Sequence, residues 1–147
     1  SKTIMEGNRC FLVDRDVATV SNQIDLLVKM DWLAALVPIF SEWGPNFICE
    51  CKYHNKRFDG DWIDQLVALL VSQHANVGIL ITKHSASMKG RASSVATKLQ
   101  LFAVQNKVIL LFSRDELRKS AQEGRTLREI INRYIEAKNG IPIVLQE

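Results

Sequence analysis

No apolar run in the chain approaches the roughly 20 residues needed to cross a bilayer, and Ser1-Lys2-Thr3 does not open a secretion signal. A membrane-embedded or exported protein is therefore not expected, and the reading is cytoplasmic. Cysteine is scarce. Three cysteines cannot all pair, and Cys49 and Cys51, two apart on one segment, are poorly placed to bridge each other. A reducing setting fits that usage. The 7 glycines form no phosphate-cradling loop, because Gly78 stands alone in an apolar run and Gly60 and Gly90 lack companions at fingerprint spacing. Nucleotide-binding folds lose ground accordingly. There is no Gly-x-Ser-x-Gly elbow, and His54, His74 and His84 do not fall at zinc-motif spacing with the cysteines. Internal repeats and low-complexity tracts are also absent.

What is present is an ordinary globular composition. With 147 residues, 47% hydrophobic and 24% charged, the chain can bury one sizeable core, so one domain is expected over 1–147. A net charge of +3 permits contact with phosphates but is too small to mark a nucleic-acid surface by itself. Position 1 is not Met, which suggests one module of a longer protein.

Arg9 to Val13 and Gln23 to Val28 read as two antiparallel strands around a polar turn region from Asp14 to Asn22. Asp31 to Gly44 contains Pro38, ends at Gly44-Pro45, and reads as a short helical or irregular insertion. Phe47 to Lys52 is a third strand. Phe58-Asp59-Gly60-Asp61 forms a turn and N-cap for a largely buried helix carrying Trp62, Leu66, Leu69, Leu70 and Gln73 at helical spacing. Val77 to Thr82 is a candidate central strand, a basic loop runs from Lys83 to Gly90, and Arg91 to Gln105 is the next helix. Val108 to Phe112 follows as a strand, so a parallel crossover is implied. Ser113-Arg114-Asp115-Glu116 and Thr126-Leu127-Arg128-Glu129 match capping boxes, giving two helices broken near Gly124. Asn139-Gly140 ends the second, and Ile141 to Leu145 can add a last short strand. The fold class is α/β: a mixed sheet, antiparallel in its first strands and parallel later, flanked by helices.

The segment Phe47-Ile48-Cys49-Glu50-Cys51-Lys52 carries the chemistry. In a strand, Ile48, Glu50 and Lys52 share one face, while Phe47, Cys49 and Cys51 share the other. A strand suited to burial thus holds an acid and a base side by side, either as a solvated edge-strand ion pair or as a site. Asp25, off the side that Ile24, Leu26 and Val28 would pack, can be brought beside Glu50 if the two strands are neighbours. Two carboxylates of this kind suit Mg²⁺ or Mn²⁺, with the backbone carbonyl of Cys51 as a further ligand. Lys52 would then orient a metal-bound water and stabilise charge on a phosphorane-like transition state.

At these residues the chain resembles the PD-(D/E)XK nuclease superfamily, whose signature is an acid on one strand followed by Glu-x-Lys on the next. Asp25 in Gln23-Ile24-Asp25-Leu26-Leu27-Val28 matches the first acid, and Glu50-Cys51-Lys52 matches the second element. Gln65 on the following helix and the run Gly78-Ile79-Leu80-Ile81-Thr82 are similar to the restriction-endonuclease-like, Mrr-type members. The resemblance spans about Arg9 to Phe112 in element order. It implies a Mg²⁺-dependent endonuclease acting on DNA in restriction or phage defence, with catalytic Asp25, Glu50, Lys52 and Gln65. Target choice would lie in additional domains or subunits, with a homodimer as one possible assembly. A structure-selective nuclease of the Holliday-junction resolvase or repair type shares the same site, and a catalytically silent binding or assembly module is the alternative from another class. Lys56, Arg57, Lys83, His84, Lys89 and Arg91 would track the phosphate backbone, if they are not simply solvated charges. Two features depart from the family. Only Glu6 stands in for an acid ahead of the first strand, and the long insertion before Glu50 makes Asp31 a rival to Asp25.

Overall fold

The computed structural model describes residues 11–18, 23–52, 60–83 and 92–139. Among these residues five strands, β1 (Phe11–Ala18), β2 (Gln23–Met30), β3 (Asn46–Lys52), β4 (Val77–Thr82) and β5 (Val108–Ser113), form one sheet in sequence order. The first three pair antiparallel, and β3, β4 and β5 pair parallel. Among the described residues four α-helices follow β3: α1 (Asp61–Ser72), α2 (Ala92–Val104), α3 (Arg114–Gln122) and α4 (Thr126–Lys138). This is the expected mixed α/β sheet flanked by helices.

Alternation along the strands builds two cores. Ile48, Leu80, Ile109 and Leu111 point to the face covered by Ile63, Leu66 and Leu70 of α1 and Val95 and Leu99 of α2. Phe47, Cys49, Ile79, Ile81 and Leu110 point to the opposite face, covered by Phe40 and Trp43 of the insertion, Leu117 of α3, and Ile130 and Tyr134 of α4. Both β4 and β5 are buried along their whole length, as expected for parallel strands sandwiched between helices. Gly78 lets α1 approach closely, since a Cβ there would lie 3.0 Å from Leu66 and 3.2 Å from Ile109. Among the described residues no helix is long and apolar enough to cross a membrane.

Several local expectations change. Asp14, Arg15 and Asp16 are not a turn but the middle of β1, which continues to Ala18. An edge strand tolerates such charges because its outer side meets water, and they discourage pairing with other chains. The insertion is two short 3₁₀ turns, Trp32–Leu36 and Pro38–Glu42. Ser113 and Glu116 do form a reciprocal capping box at α3. Thr126 does not cap: Arg125 holds the N-cap position of α4, and the buried Thr126 hydroxyl lies 3.3 Å from that of Ser120. Gly124 takes a left-handed φ of +67° and makes the break between the two helices. Arg9, the turn at Phe58-Asp59 and the strand proposed over Ile141 to Leu145 lie outside the described residues.

Candidate active site

The β2–β3 ladder runs from Lys29 opposite Asn46 to Leu26 opposite Cys49. One step further, that register sets Asp25 opposite Glu50, and there the regular ladder stops. Side chains take over its hydrogen bonds. The backbone N–H of Asp25 donates to Glu50 Oε1 at 3.1 Å, and the backbone N–H of Cys51 donates to Asp25 Oδ2 at 2.9 Å. The two carboxylates therefore sit between β2 and β3 where the regular pairing ends. Cys51 turns its N–H toward β2, and an extended residue turns its carbonyl to the same side, so that carbonyl faces β2 as well.

Glu50 is buried, with 7% of its surface exposed. Burial pushes its carboxyl up from the usual 4.5 to about 7; the Asp25 N–H opposes this, the Asp25 charge adds to it, and the Lys52 ammonium offsets part. Hydrogen bonding of the Glu50 carboxyl to the Asp25 side chain adds a further small rise, so Glu50 holds its proton more tightly than an exposed glutamate does. Lys52, two residues along the same strand, is half-buried and opposite Thr82 in the β3–β4 register.

Because the folded protein holds this proton more tightly than the unfolded chain, the associated stability is full below pH 4.5 and lost as pH rises through about 7. Glu50→Gln keeps the acceptor for Asp25 N–H and removes the titration. The variant is expected to be more stable than wild type at pH 8 by about 2 kcal/mol, a figure discounted for residual solvation, and to lose that margin by pH 5. Urea unfolding at the two pH values measures the difference.

The other site candidates are placed differently. Asp31 accepts the Trp32 N–H at 2.7 Å as the cap of the first 3₁₀ turn, so it is committed away from Glu50. Gln65 lies on the exposed side of α1 and hydrogen-bonds neither carboxylate. Its neighbour Asp64 pairs with Lys98 at 2.8 Å and ties α1 to α2. Lys83 is exposed just beyond β4, whereas Glu6, Lys56, Arg57, His84, Lys89 and Arg91 lie outside the described residues. Cys49 is fully buried, and burial raises its thiol well above the usual range. Neither Cys49 nor Cys51 is part of a disulfide.

Sequence pattern alone gave no warning that Asp25 lies in the plane of the sheet. Ile24 packs with Leu27 and Ile48 on the α1 face, whereas Leu26 and Val28 pack on the other, so the expected alternation of Ile24, Leu26 and Val28 breaks at Asp25. Among the described residues no group of three or more His, Cys, Asp and Glu side chains is placed to hold a metal ion. Comparison with protein-family models, curated proteins and solved structures finds no match to this chain.

Proposed function

We propose that the chain is a metal-dependent endonuclease module of restriction-endonuclease-like, Mrr-type fold that hydrolyses DNA phosphodiester bonds. The observation that carries this reading is the crossed pair of hydrogen bonds that sets Asp25 and Glu50 face to face where β2 and β3 part, with Lys52 beside them on the same strand.

The donor set fits a hard divalent cation. Each carboxylate uses one oxygen to accept a backbone N–H from the other strand, which sets the two side chains against each other. Asp25, Glu50 and the Cys51 carbonyl would hold Mg²⁺ or Mn²⁺, with water and substrate oxygens completing the shell. When bound, the metal supplies Lewis-acid polarisation of the phosphate and a more acidic water. Lys52 orients the attacking water and offsets the negative charge that grows on the phosphate oxygens. Gln65 and Lys83, both exposed, are assigned contacts to the nucleic acid rather than to the metal. Target choice belongs to further domains or subunits.

Supercoiled plasmid incubated with the purified chain tests the reading. Nicking and linearisation are expected with Mg²⁺ or Mn²⁺ and not with chelator. Cleavage that persists in chelator, or that appears with neither metal, would overturn it. Strong preference for a four-way junction over linear duplex would reassign the same site to a resolvase.

A further inference from the structure

Asp16 lies opposite Asp25, because the pairs on both sides of them, Arg15 with Leu26 and Val17 with Ile24, keep a single register. Asp16 and Asp25 themselves are not paired in that ladder. At this point both strands change face. Phe11 and Val13 pack in the core that holds Leu26 and Val28, whereas Val17 packs with Ile24 in the other. A flip in one strand alone would destroy the register; a flip in both at one pair preserves it. Asp16 has a left-handed φ of +52°, a conformation that aspartate tolerates better than most residues and β-branched residues resist.

The flip explains how Asp25 reaches its partners. Side chains in a regular strand stand perpendicular to the sheet, but Cys51 N–H points within the sheet plane toward β2. To accept that N–H at 2.9 Å, the Asp25 carboxylate must lie in the plane, and its own N–H is turned to Glu50. The Asp16 side chain is not responsible. It is 57% exposed and, among the described residues, pairs with its exposed neighbour Arg15 at 3.2 Å, a contact of little energetic weight. What it contributes is the backbone conformation.

We propose that Asp16 is a positioning residue: its left-handed backbone turns the β1–β2 hairpin over at the Asp16–Asp25 pair and so delivers the Asp25 carboxylate to Cys51 and Glu50. This rests on the reading of Asp25 and Glu50 as a metal-holding pair.

The test compares Asp16→Gly and Asp16→Asn, which accept the left-handed backbone, with Asp16→Val, which resists it. One readout is amide hydrogen exchange at Cys51, with Ile48 in the intact ladder as internal control. The other is the affinity for Mn²⁺ alone. The Gly and Asn variants should stay close to wild type in both. The Val variant should exchange Cys51 faster by about tenfold or more and bind Mn²⁺ about tenfold more weakly, with Ile48 unchanged. Should Asp16→Val not fold, Asp16→Ala is read by the same criteria. Wild-type protection of Cys51 in the Val or Ala variant overturns the proposal, as does equal loss in the Gly variant. Wild-type protein that fails to bind Mn²⁺ defeats the metal reading, while Cys51 exchange still decides the role of Asp16.

Discussion

Replacing Glu50 or Lys52 with alanine is expected to lower the proposed Mg²⁺-dependent plasmid cleavage by about 10²–10³-fold or more in variants that still fold. The two losses differ in kind. Glu50→Ala removes a proposed metal ligand, so higher Mg²⁺ should recover part of the rate; Lys52→Ala leaves both carboxylates in place, so added metal should recover little. Both carboxylates also need a gentler substitution. Asp25→Ala strips Cys51 N–H of its acceptor and Glu50→Ala strips Asp25 N–H of its own, each part-buried and at a cost of about 1–3 kcal/mol, so Glu50→Gln is measured beside Glu50→Ala. Asp25→Asn keeps an acceptor oxygen and removes the charge, and should match Glu50→Ala in cleavage. Nicking assays at several Mg²⁺ concentrations, beside urea unfolding of each variant, separate these outcomes. Retention of full activity by both Glu50→Ala and Lys52→Ala would defeat the site.

Trp43→Ala should have the largest effect on stability, about 3–5 kcal/mol in urea unfolding. Trp43 is fully buried, and its ring lies 4.9 Å from Phe40, 5.2 Å from Phe47 and 5.1 Å from Tyr134. The insertion, β3 and α4 therefore meet at one side chain. Tyr134 adds a polar clasp, donating to Glu42 at 2.8 Å, with Lys138 at 2.9 Å from the same carboxylate. Trp43→Phe should cost clearly less than Trp43→Ala, because the indole N–H has no partner among the described residues and its removal leaves no broken hydrogen bond. The insertion, which makes the gap between Asp25 and Glu50 long, is thus a core element under β3. An unfolding free energy for Trp43→Ala within 1 kcal/mol of wild type, roughly the scale of a surface change, would contradict this packing.

Much of the fold was legible because burial imposes period. The runs Val77 to Thr82 and Val108 to Phe112 are apolar throughout, as a strand covered on both faces requires, and the α1 stripe of Ile63, Leu66 and Leu70 follows helical spacing. Glu50 and Lys52 were legible as one face of β3 for the same reason. The charged middle of β1 was not, because an edge strand need not bury Asp14, Arg15 or Asp16 and so leaves no apolar rhythm. Nor could pattern distinguish Thr126 from a true cap, since Thr-x-x-Glu fits equally a threonine that packs inward against Ser120. The placement of Asp25 was half legible. Its neighbourhood to Glu50 followed from adjacent strands, but its turn into the sheet plane depends on a backbone conformation at Asp16 that no hydrophobic pattern encodes.

The most direct test is an NMR titration of the Glu50 side-chain carboxyl without and with Mg²⁺. In the account given, Glu50 titrates near pH 7 in the absence of metal, because it is buried and faces Asp25. Added Mg²⁺ is expected to displace the Glu50 proton and drive the titration well below that value. A Glu50 that titrates near its ordinary 4.5 and does not respond to Mg²⁺ would contradict a shared cation site.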